Sequence, residues 1–293
     1  MTDASRYRGR FAPSPSGPLH QGSLLAAVAG YLDAKAEGGK WLLRIEDIDP
    51  PREIAGAADR ILHSLEAHAL HWDETPVYQS ERTEAYLDAL EALNQSGRLF
   101  RCCCTRSTLG PAGSCGRRCS PAASDSCSLR FDVGVSAGFA DRLLGQQPGL
   151  KTGTDIVLKR KDGFFAYALA VVVDDAWQNI THVVRGRDLL HQTSAQRELM
   201  RQLGHPTPSY AHHPIICDAQ GDKLSKQAGA PEVDDHRAIE NLREVLRVLG
   251  QESADMPAGS AQELLSLATE LWNHAPLVHK PLAHDIYRGT TTP

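Results

Sequence analysis

The first hundred residues alternate between two hydrophobic periodicities, and that alternation constrains the fold more than any other feature of the chain. RYRGRFA (6–12) reads as a short strand, and 23–37 as a helix in which Leu24, Leu25, Val28 and Leu32 fall at helical spacing. KWLLRIEDI (40–48) reads as a second strand, and 53–69 as a second helix with Ile54, Ala58, Ile61, Leu62 and Leu65 on one face. Ser80 can cap a further helix that runs to about 96 and closes at Gly97. Strands joined through helices are parallel neighbours. The pattern therefore predicts an α/β domain with a doubly wound parallel sheet, whose ligands collect at the carboxyl ends of the strands.

Two polar stretches fall at such strand ends. FAPSPSGPLHQGS (11–23) leads into the first helix, with Ser23 placed as its N-cap. The first amides of a helix lack intrahelical partners and carry positive potential, so an anion is favoured there. Gly22 allows close backbone approach, and His20 adds a donor for a phosphate oxygen. The second stretch, RIEDIDP (44–50), closes an apolar strand with Glu46, Asp47 and Asp49. Glu46 is the candidate for holding an ammonium group, whereas Asp47 and Asp49 serve equally well as solvated helix-capping acids. A third polar segment, GDKLSKQ (221–227), presents Lys223 and Lys226 on a glycine-led loop. Such a loop can close on a polyphosphate, although exposed lysines are ordinary surface residues.

The region 101–128 departs from both periodicities and holds most of the seven cysteines. Cys102-x-Cys104 is followed ten residues later by Cys115-x3-Cys119, two close pairs able to wrap four thiolates around one structural Zn2+. Cys103 and Cys127 are spare sulfurs nearby. Arg101, Arg106, Arg117 and Arg118 would offset the thiolate charge or meet nucleic-acid phosphates.

Beyond the insert, TDIVLKRKDGFFAYALAVVV (154–173) reads as a strand hairpin turning at Asp162-Gly163, and NITHVVRG (179–186) as another strand. Helical patterns follow at about 189–203, 235–249 and 260–273. The net charge of −5 gives no global basic footprint, so contact with nucleic acid must be local. The longest apolar run, FFAYALAVVV, is too short for a bilayer, and the N-terminus has no apolar signal core; a cytoplasmic protein without a membrane partner is expected.

Taken in order, RFAPSPSGPLHQGS, RIEDIDP, FAYALAVVVDD, HVVRGRDLL and DKLSKQ resemble the catalytic core of class I aminoacyl-tRNA synthetases of the glutamyl and glutaminyl group. PLHQGS is similar to that class's HIGH signature and KLSKQ to its KMSKS signature. Ser23 stands where the second His of HIGH would be, and Gln227 where the last Ser of KMSKS would be. The resemblance implies activation of L-glutamate by ATP with Mg2+. It implies that Arg10, Phe11, Ala12, Pro13, Ser14, Glu46, Tyr167 and Arg185 hold the amino acid, Arg185 as a two-pronged clamp on a carboxylate. His20, Gly22, Ser23, Lys223 and Lys226 would serve ATP.

The segment after Gln227 is too short for a large anticodon-binding domain, and a short synthetase with a Cys-rich insert resembles the glutamyl-Q tRNA(Asp) synthetase family. That resemblance implies transfer of glutamate to the queuosine base at the wobble position of tRNA(Asp). It also supports Cys102, Cys104, Cys115 and Cys119 as zinc ligands, with Cys115 where relatives can carry Tyr. The expected division is a first catalytic half (1–97), a zinc insert (98–130), a second catalytic half (131–234) and a short helical region (235–293), acting as a monomer. Two other readings fit the same residues: a minimal glutamate-activating or tRNA-charging ligase with another acceptor, and a non-catalytic zinc-containing RNA-binding module.

Overall fold

The computed structural model describes residues 7–110, 113–122, 126–217 and 231–277. The chain opens with strand β1 (Arg8–Phe11), helix α1 (Gln21–Ala36), strand β2 (Lys40–Ile45), helix α2 (Ala57–Ala67) and the short strand β3 (Val77–Tyr78). β1 and β2 run parallel with Arg10 opposite Leu42, and β2 and β3 run parallel with Ile45 opposite Tyr78. After Lys40 every residue of β2 is buried, as expected of a strand covered on both faces.

Helix α3 (Thr83–Gln95) leads to β4 (Leu99–Cys102), the one-turn helix α4 (Arg106–Leu109) and β5 (Ser128–Asp132). The hairpin β6 (Phe139–Asp141) and β7 (Gly145–Gln147) and then β8 (Asp155–Lys159) follow. Helix α5 (Tyr167–Trp177), β9 (His182–Gly186), α6 (Leu190–Gln202) and β10 (Ser209–His213) complete the central part, and α7 (Ala238–Val248) and α8 (Ala261–Glu270) close it.

The strands pair in three sheets. One is β1-β2-β3, wholly parallel; the second, β7-β6-β10-β9, is parallel except for the β6-β7 hairpin; the third, β4-β5-β8, is antiparallel. The expected parallel pairing is present, but in a mixed arrangement of short strands. The two largely parallel sheets meet where Thr181 N–H donates to Arg8 O at 3.0 Å and Arg8 N–H donates to Thr181 Oγ1 at 2.8 Å.

Several local expectations give way: α2 starts at Ala57, leaving Ile54 outside it and exposed, and the N-cap of α3 is Arg82 in place of Ser80. The Asp162-Gly163 turn forms, with Arg160 N–H bonded to Phe164 O and Gly163 at φ +91°, but its returning arm makes a single bridge before becoming α5. Leu169 through Asp175 are all buried, and a run apolar on every side does not distinguish strand from helix by periodicity. At α1 the N-cap is His20 in place of Ser23: its side chain accepts from the Gly22 and Ser23 amides. The helix thus starts three residues before its apolar stripe, at Gln21.

α1 lies at the centre of the largest core cluster, where Leu24, Leu25, Val28 and Leu32 are fully buried beside Trp41 and the inner faces of α7 and α8. No described helix is long and apolar enough to cross a membrane. The C-terminal helical region is also tied to α1 by a polar node. Asp33 accepts from Tyr7 OH, from Arg142 Nη1 at 2.6 Å, from Trp272 Nε1 at 3.2 Å and from His274.

Burial works to raise the Asp33 pKa, and the bonds from His274, Arg142 and Tyr7 overcome it, holding the carboxyl below the usual carboxylate range. The stabilisation is therefore complete above the unfolded-state pKa of about 4 and is lost as pH falls through the depressed folded value. Asp33→Asn is expected to lower the unfolding free energy by about 2 kcal/mol at pH 7, because the buried carboxylate loses its charge-assisted bonds to the half-buried Arg142 and His274. In denaturant titrations this difference should shrink below about pH 4; a gap unchanged down to pH 2 would show that the charge of Asp33 is not what holds the node.

Candidate active site

A cleft of about 520 Å³ opens at the carboxyl ends of β1, β2, β9 and β10. One end is built on strands. Arg10, the penultimate residue of β1, is 5% exposed and donates Nε–H to Asp175 Oδ1 at 3.0 Å. The Phe11–Ser14 segment runs along the wall, fixed where Glu46 N–H donates to Pro13 O at 2.9 Å. Glu46, just past β2, is buried, and its Oε1 has no hydrogen-bond partner.

Beneath these residues lies a charge network that the sequence pattern did not single out. Arg44 is fully buried; its Nη1 donates to Gln178 Oε1 at 2.7 Å, its Nη2 lies 2.9 Å from Asp175 and 3.5 Å from Glu46. Asp175 thus sits between Arg10 and Arg44. Asp174 beside it accepts from Gln79 at 2.8 Å and from Tyr86 OH at 2.7 Å. The available signals were an arginine inside an apolar strand and an Asp-Asp pair ending the apolar run before Trp177. Burial pushes the Glu46 carboxyl up to about 7, against the pull of Arg44 and Arg10.

Tyr167 begins α5, and its OH accepts from Arg185 Nη1 at 3.2 Å. Arg185, on β9, turns its Nη2 into the protein, to Thr193 Oγ1 and Gln196 Oε1, both at 2.8 Å. The guanidinium is therefore not the open two-pronged clamp expected from sequence. It meets the cleft along its Nη1 edge, beside Tyr167.

The other end of the cleft is the N-terminus of α1. His20 Nδ1 accepts from Gly22 N–H at 3.1 Å and Ser23 N–H at 3.3 Å, so the proton of the neutral ring resides on Nε2, 3.0 Å from Ser23 Oγ. The two amides expected to be open to an anion are thus already capped by His20. His20, Gly22 and Ser23 all line the cleft. Lys223 and Lys226 lie outside the described residues. On either side of them Ile216 lines the cleft and Glu232 forms an antiparallel bridge with His20.

Away from the cleft, Cys102, Cys104, Cys115 and Cys119 bring their sulfurs within 4.8 Å of one another. Cys104 and Cys115 are 3.8 Å apart and Cys115 and Cys119 3.4 Å, close to the roughly 3.8 Å edge of a tetrahedron with metal–sulfur bonds of about 2.3 Å. The quartet can hold a metal ion. Cys103 and Cys127 are not part of it.

The model of the tRNA synthetases class I (E and Q) catalytic domain matches residues 6–114 and 116–255. The crystal structure of a glutamate tRNA ligase from Elizabethkingia meningosepticum, in complex with its amino acid, superposes with a TM-score of 0.77 at 26% identity. That match covers 94% of this chain and 66% of the longer ligase. The fold is that of a class I tRNA synthetase catalytic domain. Glutamyl-Q tRNA(Asp) synthetase of Yersinia pseudotuberculosis serotype I (strain IP32953) is 50% identical over 255 residues, 84% of this chain and 76% of that protein. The enzyme of the same name from Dechloromonas aromatica (strain RCB) is 47% identical over 286 residues, 92% and 94% of the two chains. The chain belongs to the glutamyl-Q tRNA(Asp) synthetase family.

Because the neutral form of Glu46 is favoured by burial, its contribution to folding is largest at low pH and is lost as pH rises from the ordinary 4.5 through about 7. Carboxyl carbon-13 NMR of the protein without ligand should place the Glu46 midpoint near 7. A midpoint near 4.5 would mean that Arg44 and Arg10 fully compensate burial.

Proposed function

We infer that the protein activates L-glutamate with ATP and transfers the glutamyl group to the queuosine base at the wobble position of tRNA(Asp). Family membership supports the overall reaction. The observation that carries the activation step is the joining, in one cleft, of Arg10 and Arg185 with the buried Glu46, whose Oε1 makes no hydrogen bond and has Arg44 Nη2 at 3.5 Å. Two cations suit an amino acid with two carboxylates, and Glu46 suits its ammonium group.

The α-carboxylate oxygen of glutamate attacks the α-phosphorus of ATP, and pyrophosphate leaves with the electrons of the broken P–O bond. A hydroxyl of the cyclopentene ring of queuosine then attacks the activated carbonyl carbon, and AMP leaves. The reacting α-carboxylate must face the nucleotide, so the side-chain carboxylate lies against Arg185 and Tyr167. The nucleotide lies at the α1 end, with the Nε2–H of His20 as a donor to its phosphates. Lys223 and Lys226, on the segment between Ile216 and Glu232, would add positive charge to phosphates bearing Mg2+, where charge develops during transfer.

Catalysis on this reading is positioning and electrostatics, with no covalent enzyme intermediate. The two largely parallel sheets, joined at Arg8 and Thr181, act as halves of one doubly wound sheet. The catalytic halves are 1–97 and 131–234, the zinc-bearing insert is 98–130 and the helical region is 235–293. The protein works as a cytoplasmic monomer, where ATP and tRNA are found.

The deciding assay is transfer of radiolabelled glutamate, with ATP and Mg2+, to tRNA(Asp) containing queuosine, beside the same tRNA with guanosine and beside tRNA(Glu). Label is expected only on the queuosine form. Label on tRNA(Glu) would mean 3′-end charging, and activation without any labelled RNA would mean another acceptor.

We assign the cysteine quartet to one structural Zn2+, since its four sulfurs leave no open coordination position. Freshly purified, reduced protein should contain about one equivalent of zinc, and Cys104→Ser should lower the content and the melting temperature together. Less than about half an equivalent in the unaltered protein would remove the assignment.

A further inference from the structure

His212, on β10, is fully buried and touches no part of the cleft, yet it stands between a carboxylate and the cleft arginine. Its Nδ1 is 2.5 Å from Asp141 Oδ2, and its Nε2 is 3.2 Å from Arg185 Nε and 3.1 Å from Thr193 Oγ1. Arginine is always protonated and its Nε can only donate. His212 Nε2 must therefore be the acceptor, and the ring proton must sit on Nδ1, facing Asp141.

Asp141 is itself immobilised. Its Oδ1 accepts from Leu143 N–H at 3.0 Å, Leu144 N–H at 2.9 Å and His212 N–H at 3.3 Å, leaving Oδ2 for the imidazole. Burial lowers the His212 pKa and keeps the ring neutral, as an acceptor must be.

We propose that Asp141 and His212 form a buried relay that fixes the tautomer of His212 and, through it, turns Arg185 so that one Nη1 hydrogen and the Tyr167 hydroxyl meet the side-chain carboxylate of the substrate. The donor count supports this. Of the five N–H groups of Arg185, Nε–H goes to His212, the Nη2 pair goes to Thr193 and Gln196, and one Nη1 hydrogen goes to Tyr167. The single remaining Nη1 hydrogen is aimed by the other four. Tyr167 accepts from Arg185, so its own O–H is directed to the ligand. A carboxylate presents one oxygen to each donor and a negative charge to Arg185, whereas the amide of glutamine is uncharged and, held in the same two-point arrangement, sets its NH2 group against one of the donors. His212 is a positioning residue for the choice of glutamate over glutamine, and this rests on the activation reaction proposed above.

The test is amino-acid-dependent ATP–pyrophosphate exchange by the full chain. His212→Leu is expected to raise the KM for glutamate by about tenfold or more, with the KM for ATP within about twofold, and to reduce discrimination against glutamine to a similar degree. His212→Gln, whose amide oxygen can accept from Arg185 Nε, should recover most of the loss.

Asp141→Asn is the second variant. The Leu143 and Leu144 amides hold its Oδ1, so its NH2 group faces His212 Nδ1 and drives the ring proton to Nε2, against Arg185. It should reproduce the His212→Leu defect in a protein that folds, and nitrogen-15 NMR should show the ring proton moving from Nδ1 to Nε2. Unchanged glutamate KM and discrimination in both folded variants, or a ring proton on Nε2 in the unaltered protein, would overturn the relay. An unaltered enzyme with no glutamate-dependent exchange would overturn the activation reading and this proposal together; normal exchange with unaffected variants would overturn the relay alone.

Discussion

Arg10 and Arg44 share the carboxylate of Asp175 in the interior, and the placement of the cleft follows from that contact. Removing a charge from water is unfavourable by several kcal/mol, so a buried arginine is tolerated only when its partners are in place. Here the partners come from three elements: β1 supplies Arg10, β2 supplies Arg44, and α5 supplies Asp175, with Asp174 and Gln178 on either side. The interaction therefore joins β1, β2 and α5 directly under the cleft floor. Glu46 belongs to the same group: its Oε1 makes no hydrogen bond and lies 3.5 Å from Arg44 Nη2.

The two ends of the cleft solve different electrostatic problems. At the strand end, full burial makes each charge strong and its orientation exact in consequence, which suits discrimination among small amino acids. At the α1 end, His20 caps the helix and converts two amide donors into one imidazole N–H. The positive character of the helix start is retained, but it is delivered by a side chain. The return of Glu232 to pair with His20 brings the chain after the KLSKQ segment back to this same end.

The cysteine quartet has a separate physical task. The antiparallel sheet β4-β5-β8 is small, and among the described residues between β4 and β5 the one-turn helix α4 is the only regular structure. So little apolar burial cannot order that stretch by itself. Four converging sulfurs that can hold a metal ion, and the buried Arg130–Asp155 ion pair beside them, are what can tie it together.

The sequence by itself determined the alternation of strands and helices, the cysteine pairs, and the cleft residues carried in short motifs: Arg10 to Ser14, His20, Gly22, Glu46, Tyr167 and Arg185. These were legible because each depends on local spacing or on a motif a few residues long. Tertiary structure alone decided that the apolar run from Tyr167 is a helix, since burial on every side erases the periodicity that would distinguish it from a strand. It alone brought Arg44 to Asp175, Asp33 to His274, and Asp141 to His212 and Arg185. Those pairs lie far apart in the chain, and a buried polar residue reveals its partner only when the fold has removed every competing water.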